Sequence, residues 1–216
     1  MIFGSGPYAS LVHDYLSNGS GIKVAGFTVN REYMSDSKCC GLELLPFEEI
    51  ETHFPPSDFE MLVAVGYSQM NRIRAEKCLE AKNKGYRLSS FIHPSNVQWP
   101  GMIIGENCII LENNVFQAHS KIGNNVCVWA GSVISHHVEL KDNVFVAPGA
   151  VIAGNVQVGE NCFIGANATI RNGVKIGKNC VIGAGAVILD DTHEEGVYVA
   201  PHAQKLSIKS LGLNSL

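Results

Sequence analysis

The strongest constraint on this chain is a six-residue repeat. Stepping by six from Ile104 meets Ile110, Phe116, Ile122, Val128, Ile134, Leu140, Val146, Ile152, Val158, Ile164, Ile170, Ile176, Ile182 and Ile188. All are large and apolar, over 14 steps and 84 residues without a slip. In a sequence that is roughly half apolar, chance does not produce such a run. A repeat this regular assigns the architecture before any other feature is read.

The position two residues earlier is small or β-branched in most repeats, as at Cys108, Val126, Ser132, Ala150, Cys162 and Ala186, with Asn114 a polar exception. Alternate side chains of a strand share a face, so both positions point inward. Between them lie Gly105-Glu106-Asn107, Gly123-Asn124-Asn125, Gly159-Glu160-Asn161 and Gly177-Lys178-Asn179. Gly and Asn accept the positive φ that tight corners need. Three strands and three corners close a triangular coil of 18 residues, and coils stack about 4.8 Å apart. The expected fold is a left-handed parallel β-helix of hexapeptide repeats, within a domain spanning residues 93–190, followed by a C-terminal tail, 191–216. A sandwich of short strands would have irregular loop lengths, and this segment has none.

The outward positions sort into three columns, one per side of the triangle. The first reads Ile109, Cys127, Phe145, Phe163, Val181, and the second Val115, Val133, Val151, Thr169, Val187. The third reads Lys121, Glu139, Gln157, Lys175. Two apolar outer faces do not belong on a solvated solenoid. Packing on other copies around a threefold axis explains them, which predicts a homotrimer. Alternatively, the N-terminal domain or the tail covers one of them.

Composition narrows the function. A net charge of −4 argues against a nucleic-acid partner, and no apolar stretch approaches the roughly 20 residues of a membrane span. The first residues run straight into a glycine turn, unlike a signal peptide. The cysteines, Cys39, Cys40, Cys78, Cys108, Cys127, Cys162 and Cys180, lack metal-site spacing. Three of them occupy the small inward column. They read as core packing in a reducing cytoplasm, and no metal is expected.

Residues 1–92 follow another pattern, that of a small α/β nucleotide- or sugar-binding domain. Strands are expected at residues 1–3, 23–29, 60–66 and 87–92, and helices at 8–17 and 69–84. Strands alternating with helices imply a parallel sheet, here a Rossmann-like half domain. Gly4-Ser5-Gly6-Pro7-Tyr8-Ala9 lies between strand and helix, where a phosphate-binding loop would sit. The same glycines also suit a plain strand-to-helix turn. A dehydrogenase needs an acidic residue ending the second strand. Here the sequence is Phe27-Thr28-Val29-Asn30-Arg31, and the domain is too short for both halves of a dinucleotide fold. A mononucleotide-type or degenerate site remains.

Chemistry concentrates at Ser132-Val133-Ile134-Ser135-His136-His137-Val138. Two histidines stand at one corner, and His is the side chain best suited to accept a proton near neutral pH. Eighteen residues after His136 stands Gly154, whose N–H becomes a candidate oxyanion donor. Eighteen before His137 stands His119, so those two imidazoles stack. The isolated His13, His53, His93, His193 and His202 carry no such pattern, and a lone His at a solvated turn usually does nothing.

At these residues the chain resembles the bacterial sugar acyltransferases that join a small nucleotide-binding-like domain to a left-handed β-helix. These include sialic-acid O-acetyltransferases and N-acetyltransferases of nucleotide-linked 4-amino sugars. The resemblance covers nearly the whole chain. It rests on Gly4-Ser5-Gly6, Val65-Gly66-Tyr67-Ser68, His93-Pro94-Ser95, residues 132–136, Gly154-Asn155-Val156, Gly165-Ala166-Asn167 and Gly196-Val197-Tyr198-Val199. It implies direct attack of an acceptor on the thioester of acetyl-CoA, with His136 as general base, His137 beside it and Gly154 near the acyl carbonyl. It implies CoA phosphates near Arg171, Lys175, Lys178 and Lys205. It implies a nucleotide-sugar or sugar between the N-terminal domain of one chain (Gly4, Ser5, Gly6, Asn30, Tyr67) and the solenoid of another, with His119 nearby.

Three positions depart from that family. His137 stands where relatives carry Asp or Glu to orient the base. Orientation then falls to a carboxylate such as Asp142 or to a backbone carbonyl, or His137 itself relays the proton. Val29 and Asn30 replace paired Asp residues of UDP-sugar binders. Ala200-Pro201-His202-Ala203-Gln204-Lys205 replaces the usual Gly-x-Pro-Ala-Lys. Three functions follow: N-acetylation of a nucleotide-linked amino sugar, O-acetylation of a sugar such as a sialic acid, or a scaffold without turnover.

Overall fold

A computed structural model describes residues 1–19, 21–201, 203–205 and 207 of the chain. His202 and the end of the tail, 208–216, lie outside the described residues. The first unit is a parallel sheet. Strands β1 (Ile2–Phe3), β2 (Phe27–Val29), β3 (Lys38–Cys39), β4 (Leu42–Pro46) and β5 (Leu62–Val63) take the order β3-β4-β2-β1-β5. Only β3 runs antiparallel, as a hairpin arm on β4. Helix α1 (Pro7–Gly19) covers one face; α2 (Ile50–His53) and α3 (Arg72–Asn83) cover the other, over Phe3, Phe47, Met61 and Val63.

The second unit is the expected three-sided parallel β-helix. Each side is a sheet of two-residue strands, and each strand pairs with the strand 18 residues away, as Val133 pairs with Val115 and Val151. The hexad residues and their small partners form one continuous core, buried from Cys108 to Ile188. The solenoid begins earlier than the hexad suggests. Phe91–Ile92, expected as the last strand of the first domain, pairs instead with Ile109–Ile110 as the first rung. Its neighbour Leu88 alone bridges back to Met61. The hairpin at residues 38–46 was not expected, and the predicted strand at 23–29 shortens to three residues.

One of the two apolar outer faces does not await another chain. The N-terminal domain of the same chain covers it. Ala9, Val12 and Leu16 of α1 share a core with Ile109, Cys127 and Phe145. This covered sheet is seamed to the domain by polar contacts too. Tyr15 Oη donates to a Glu112 carboxylate oxygen at 2.6 Å, a bond that, with some burial, pushes its phenol up to about 12. Only the second column, with Val151 and Val187 exposed, stays open; the third is the polar sheet.

The two units are pinned at one corner. Asn107, Asn125, Asn143, Asn161 and Asn179 all have positive φ and stack one per coil. Each of the first four donates its side-chain amide to the next at 2.8–3.2 Å. The fully buried Arg74 of α3 reads this ladder. Its guanidinium donates to Asn125 Oδ1, to the Asn125 and Asn143 carbonyls, and back to the Gly66 carbonyl and Asn71 Oδ1. Asn107 pairs with the backbone of Val63 in both directions. Replacing Arg74 by Met leaves several buried oxygens without donors. Calorimetry is expected to show a loss of about 3 kcal/mol or more, with the N-terminal domain melting ahead of the solenoid.

Candidate active site

The corner between the open apolar sheet and the polar sheet carries His136 and His137. Ser135 N–H bonds to the Ile152 carbonyl at 3.0 Å, which continues the stacking to the residue before the pair. His136 N–H donates to Gln117 Oε1, also at 3.0 Å, so a side chain one coil below fixes the backbone of the base. His137 takes the left-handed conformation, φ +57°, and its N–H donates to the Ala118 carbonyl. The left-handed turn points the two imidazoles to different sides while keeping their Nδ1 atoms 3.2 Å apart. Their planes stand at 82°.

Gly154 lies directly over His136, as the 18-residue spacing requires. A methyl group on Gly154 would fall inside contact distance of His136 Cε1 and Nε2. The Nε2 edge therefore faces the Gly154 backbone, while Nδ1 faces His137. The Gly154 amide donates to no acceptor among the described residues, whereas its neighbour Asn155 donates to the His136 carbonyl. A free N–H beside a basic nitrogen is what a reacting carbonyl needs.

Each histidine opens on its own groove. His136 closes one of about 430 Å³ on the open apolar sheet, with Val97, Trp99, Val115 and Phe116. His137 lines another of about 420 Å³ on the polar sheet, with His119, Lys121, Glu139 and Gln157. The predicted stacking of His119 on His137 is present, with ring centroids 4.7 Å apart. Asp142 is not the orienting group. It serves a different corner, accepting the Asn124 amide at 2.7 Å. Among the described residues, His137 Nδ1 is what meets His136 Nδ1.

The other predicted residues fall elsewhere. Gly4, Ser5 and Gly6 follow β1, and Asn30 follows β2, at the carboxyl ends of parallel strands where such sheets bind ligands. Gly4, φ +127°, is required by packing, because a Cβ there would strike the Ala64 carbonyl; beside Gly6 the space is open. The acid missing from the end of β2 arrives from another segment. Glu48 accepts hydrogen bonds from Asn30 Nδ2 and the Arg31 amide. Burial alone would raise its carboxyl, but these bonds, its own amide and the Arg31 charge hold it below the ordinary range. Tyr67 closes a third cleft, of about 350 Å³, with Trp129, Phe145 and Phe163 on the covered sheet.

The cationic candidates do not converge. Arg171 shares the His136 corner two coils on and pairs with Asp190 at 3.5 Å. Lys175 stands on the polar sheet, Lys178 pairs with Glu160 at the Asn-ladder corner, and Lys205 is exposed in the tail. The buried thiols are inert: desolvation pushes Cys78, Cys108 and Cys162 up to about 12. Sequence reasoning missed Gln117, Trp99, Glu48 and Arg74. Gln117 was accessible, because it stands 18 residues before Ser135. The others carry no periodic signal.

Family comparisons agree with this geometry. The repeat family described as bacterial transferase hexapeptide matches residues 101–136, 119–154 and 137–172, and the hexapeptide repeat of succinyl-transferase matches 155–190. This chain is a member of the hexapeptide-repeat acyltransferases. The acyltransferase is similar over its length to solved structures of sugar N-acetyltransferases, in which the solenoid is left-handed. PerB from Caulobacter crescentus, in complex with CoA and GDP-perosamine, is 28% identical, with 92% of each chain covered and a TM-score of 0.83. A variant of GDP-perosamine N-acetyl transferase from the same organism, one histidine replaced by alanine, is 26% identical at TM-score 0.84, again over 92% of each chain. The acetyltransferase domain of PglB from Neisseria gonorrhoeae, in complex with acetyl coenzyme A, is 27% identical at TM-score 0.82, over 95% of this chain and 97% of that one. No match is found among curated protein sequences. The acyltransferase has no helix among the described residues long and apolar enough to cross a membrane.

Replacing Gly154 by Ala tests the contact. The new methyl displaces the imidazole, a side chain free to swing, so thermal stability is expected to change little. Acetyl transfer is expected to fall by at least about tenfold, since a displacement near 1 Å costs on the order of 10²-fold at such sites.

Proposed function

We propose that this sugar acetyltransferase moves the acetyl group of acetyl-CoA to the amino group of a nucleotide-linked amino sugar. The observation that carries the reading is the placement of His136 against Gly154, with a basic nitrogen and an unpaired amide at one end of an apolar groove. Acetyl-CoA lies along the open apolar sheet, its thioester oxygen accepting from the Gly154 amide. The acceptor amine attacks the thioester carbon directly and gives its proton to His136 Nε2. The amine must arrive neutral, since an ammonium has no lone pair to attack with. The presence of CoA and GDP-perosamine in similar proteins supports this choice of substrates.

A single chain does not complete the site. The N-terminal domain sits on the covered sheet, and His136 stands at the corner opposite that sheet. We infer that the nucleotide is held by Gly4, Ser5, Gly6, Asn30 and Tyr67 of one copy and presented to His136 of the next. The open column of Val115, Val133, Val151, Thr169 and Val187 forms the contact around a threefold axis. Light scattering is expected to give three times the chain mass. Replacing Val151 by Glu is expected to yield folded, inactive monomers. A dilute monomer with full activity would overturn the shared site.

The reaction is tested by following CoA release with GDP- and UDP-linked 4-amino sugars, their 4-hydroxy counterparts and a free sialic acid. Release with amino sugars is expected, falling by roughly 10²–10⁴ when His136 is replaced by Ala. Release only with the hydroxy acceptors would make this an O-acetyltransferase. A loss of less than about tenfold in the Ala variant would remove His136 as the base.

A further inference from the structure

The left-handed corner positions of the solenoid are filled by Asn or Gly almost throughout, Asn107, Asn113, Asn125, Gly131, Asn143, Gly149 and Asn155 among them. His119 and His137 break that rule in successive coils, with φ of +64° and +57°. Asn155, the next member of the same column, restores it. Imidazole is tolerated in this backbone region but is not its favoured occupant. A local preference overridden twice in one column marks a chemical requirement.

From the Nδ1 contact we infer that His137 is the second member of a proton-sharing pair, holding the positive charge that His136 acquires during transfer. The inference rests on His136 being the general base. An Nδ1 to Nδ1 hydrogen bond, 3.2 Å here, contains one proton, so one ring donates and the other accepts. If His136 carries the shared proton, its Nε2 has a free lone pair toward Gly154 and the apolar groove. That is the tautomer a base needs.

The step balances without any added reagent. As the amine nitrogen bonds to the acyl carbon, its proton passes to His136 Nε2. The shared proton moves from His136 Nδ1 to His137 Nδ1, and the charge rests on His137. When the C–S bond breaks, the shared proton returns and the Nε2 proton goes to the departing thiolate. The products are amide and CoA thiol, and the pair is restored.

The surroundings suit a transient cation on His137. Its ring lies against His119, 4.7 Å between centroids, and its groove contains Lys121, Glu139 and Gln157. Glu139 is the acid of that groove, held at 2.9 Å by Lys141. His137 thus stands in the chain position of the carboxylate of similar enzymes and takes a proton where a carboxylate would only attract one.

The test separates orientation from proton sharing. Asn at position 137 suits the left-handed backbone, as Asn155 does one coil on, and its amide oxygen can accept from His136 Nδ1–H but cannot take the proton. With acetyl-CoA and the panel member that releases CoA fastest, His137→Asn is expected to lower kcat about 10–100-fold with KM nearly unchanged and melting temperature retained. Free imidazole or His137→Glu is expected to restore most of the loss. Nitrogen-15 NMR of the histidines, which needs no substrate, is expected to find the proton on Nδ1 of His136. A His137→Asn variant with parental kcat beside an inactive His136→Ala variant would overturn the pairing and leave the base intact. So would a loss that neither imidazole nor Glu repairs, or a proton resting on Nε2 of His136. An active His136→Ala variant would instead remove the general base itself.

Discussion

The fold depends on turning the backbone sharply at each vertex of an 18-residue coil. The turn requires a residue of positive φ, which costs an ordinary L-residue about 1–2 kcal/mol. Glycine avoids the cost; asparagine offsets it. At the corner of Asn107 to Asn179 the side-chain amides bond to one another up the stack, so each left-handed residue is also a rung of a polar ladder. Because each coil closes on the same count, the sheets stay in register from Phe91 to Ile188.

That ladder also determines how the α/β domain sits. Its exposed carbonyls and amides would be costly if the domain covered them without partners. Arg74, Asn71 and the backbone of Val63 supply those partners, and the apolar face of α1 then closes over Ile109, Cys127 and Phe145. The geometry follows from the triangle. A domain docked on one side and one vertex leaves the opposite vertex to the catalytic histidines. The same contact that stabilises the chain therefore separates its nucleotide-like domain from its own His136.

The solenoid was legible because its period is strict and its inward residues sort by size. The 18-residue count also placed Gly154 over His136 and His119 beside His137 before any coordinates were consulted. The docking was less legible. An outer column such as Cys127, Phe145, Phe163 is apolar whether a partner chain or the same chain covers it, so both explanations fitted the pattern. Arg74 looks like any charged residue on a polar helix, and its burial appears only when the ladder faces it. Glu48 and Asn30 lie 18 residues apart by coincidence, in a domain with no repeat to connect them. Phe91–Ile92 reads as the end of one domain or the start of the next with equal ease, because a two-residue strand has no periodicity of its own.

The active corner shows two requirements meeting. The backbone there favours small or amide residues, while general-base chemistry needs a bulky ring. The solenoid accommodates the ring of His136 by leaving the next coil without a side chain, at Gly154. That vacancy does more than make room. It exposes the one amide that a carbonyl oxygen above His136 would meet, and the coil spacing fixes the separation between base and donor. The geometry of the site is thus the repeat distance of the fold, and a single substitution in either coil changes both at once.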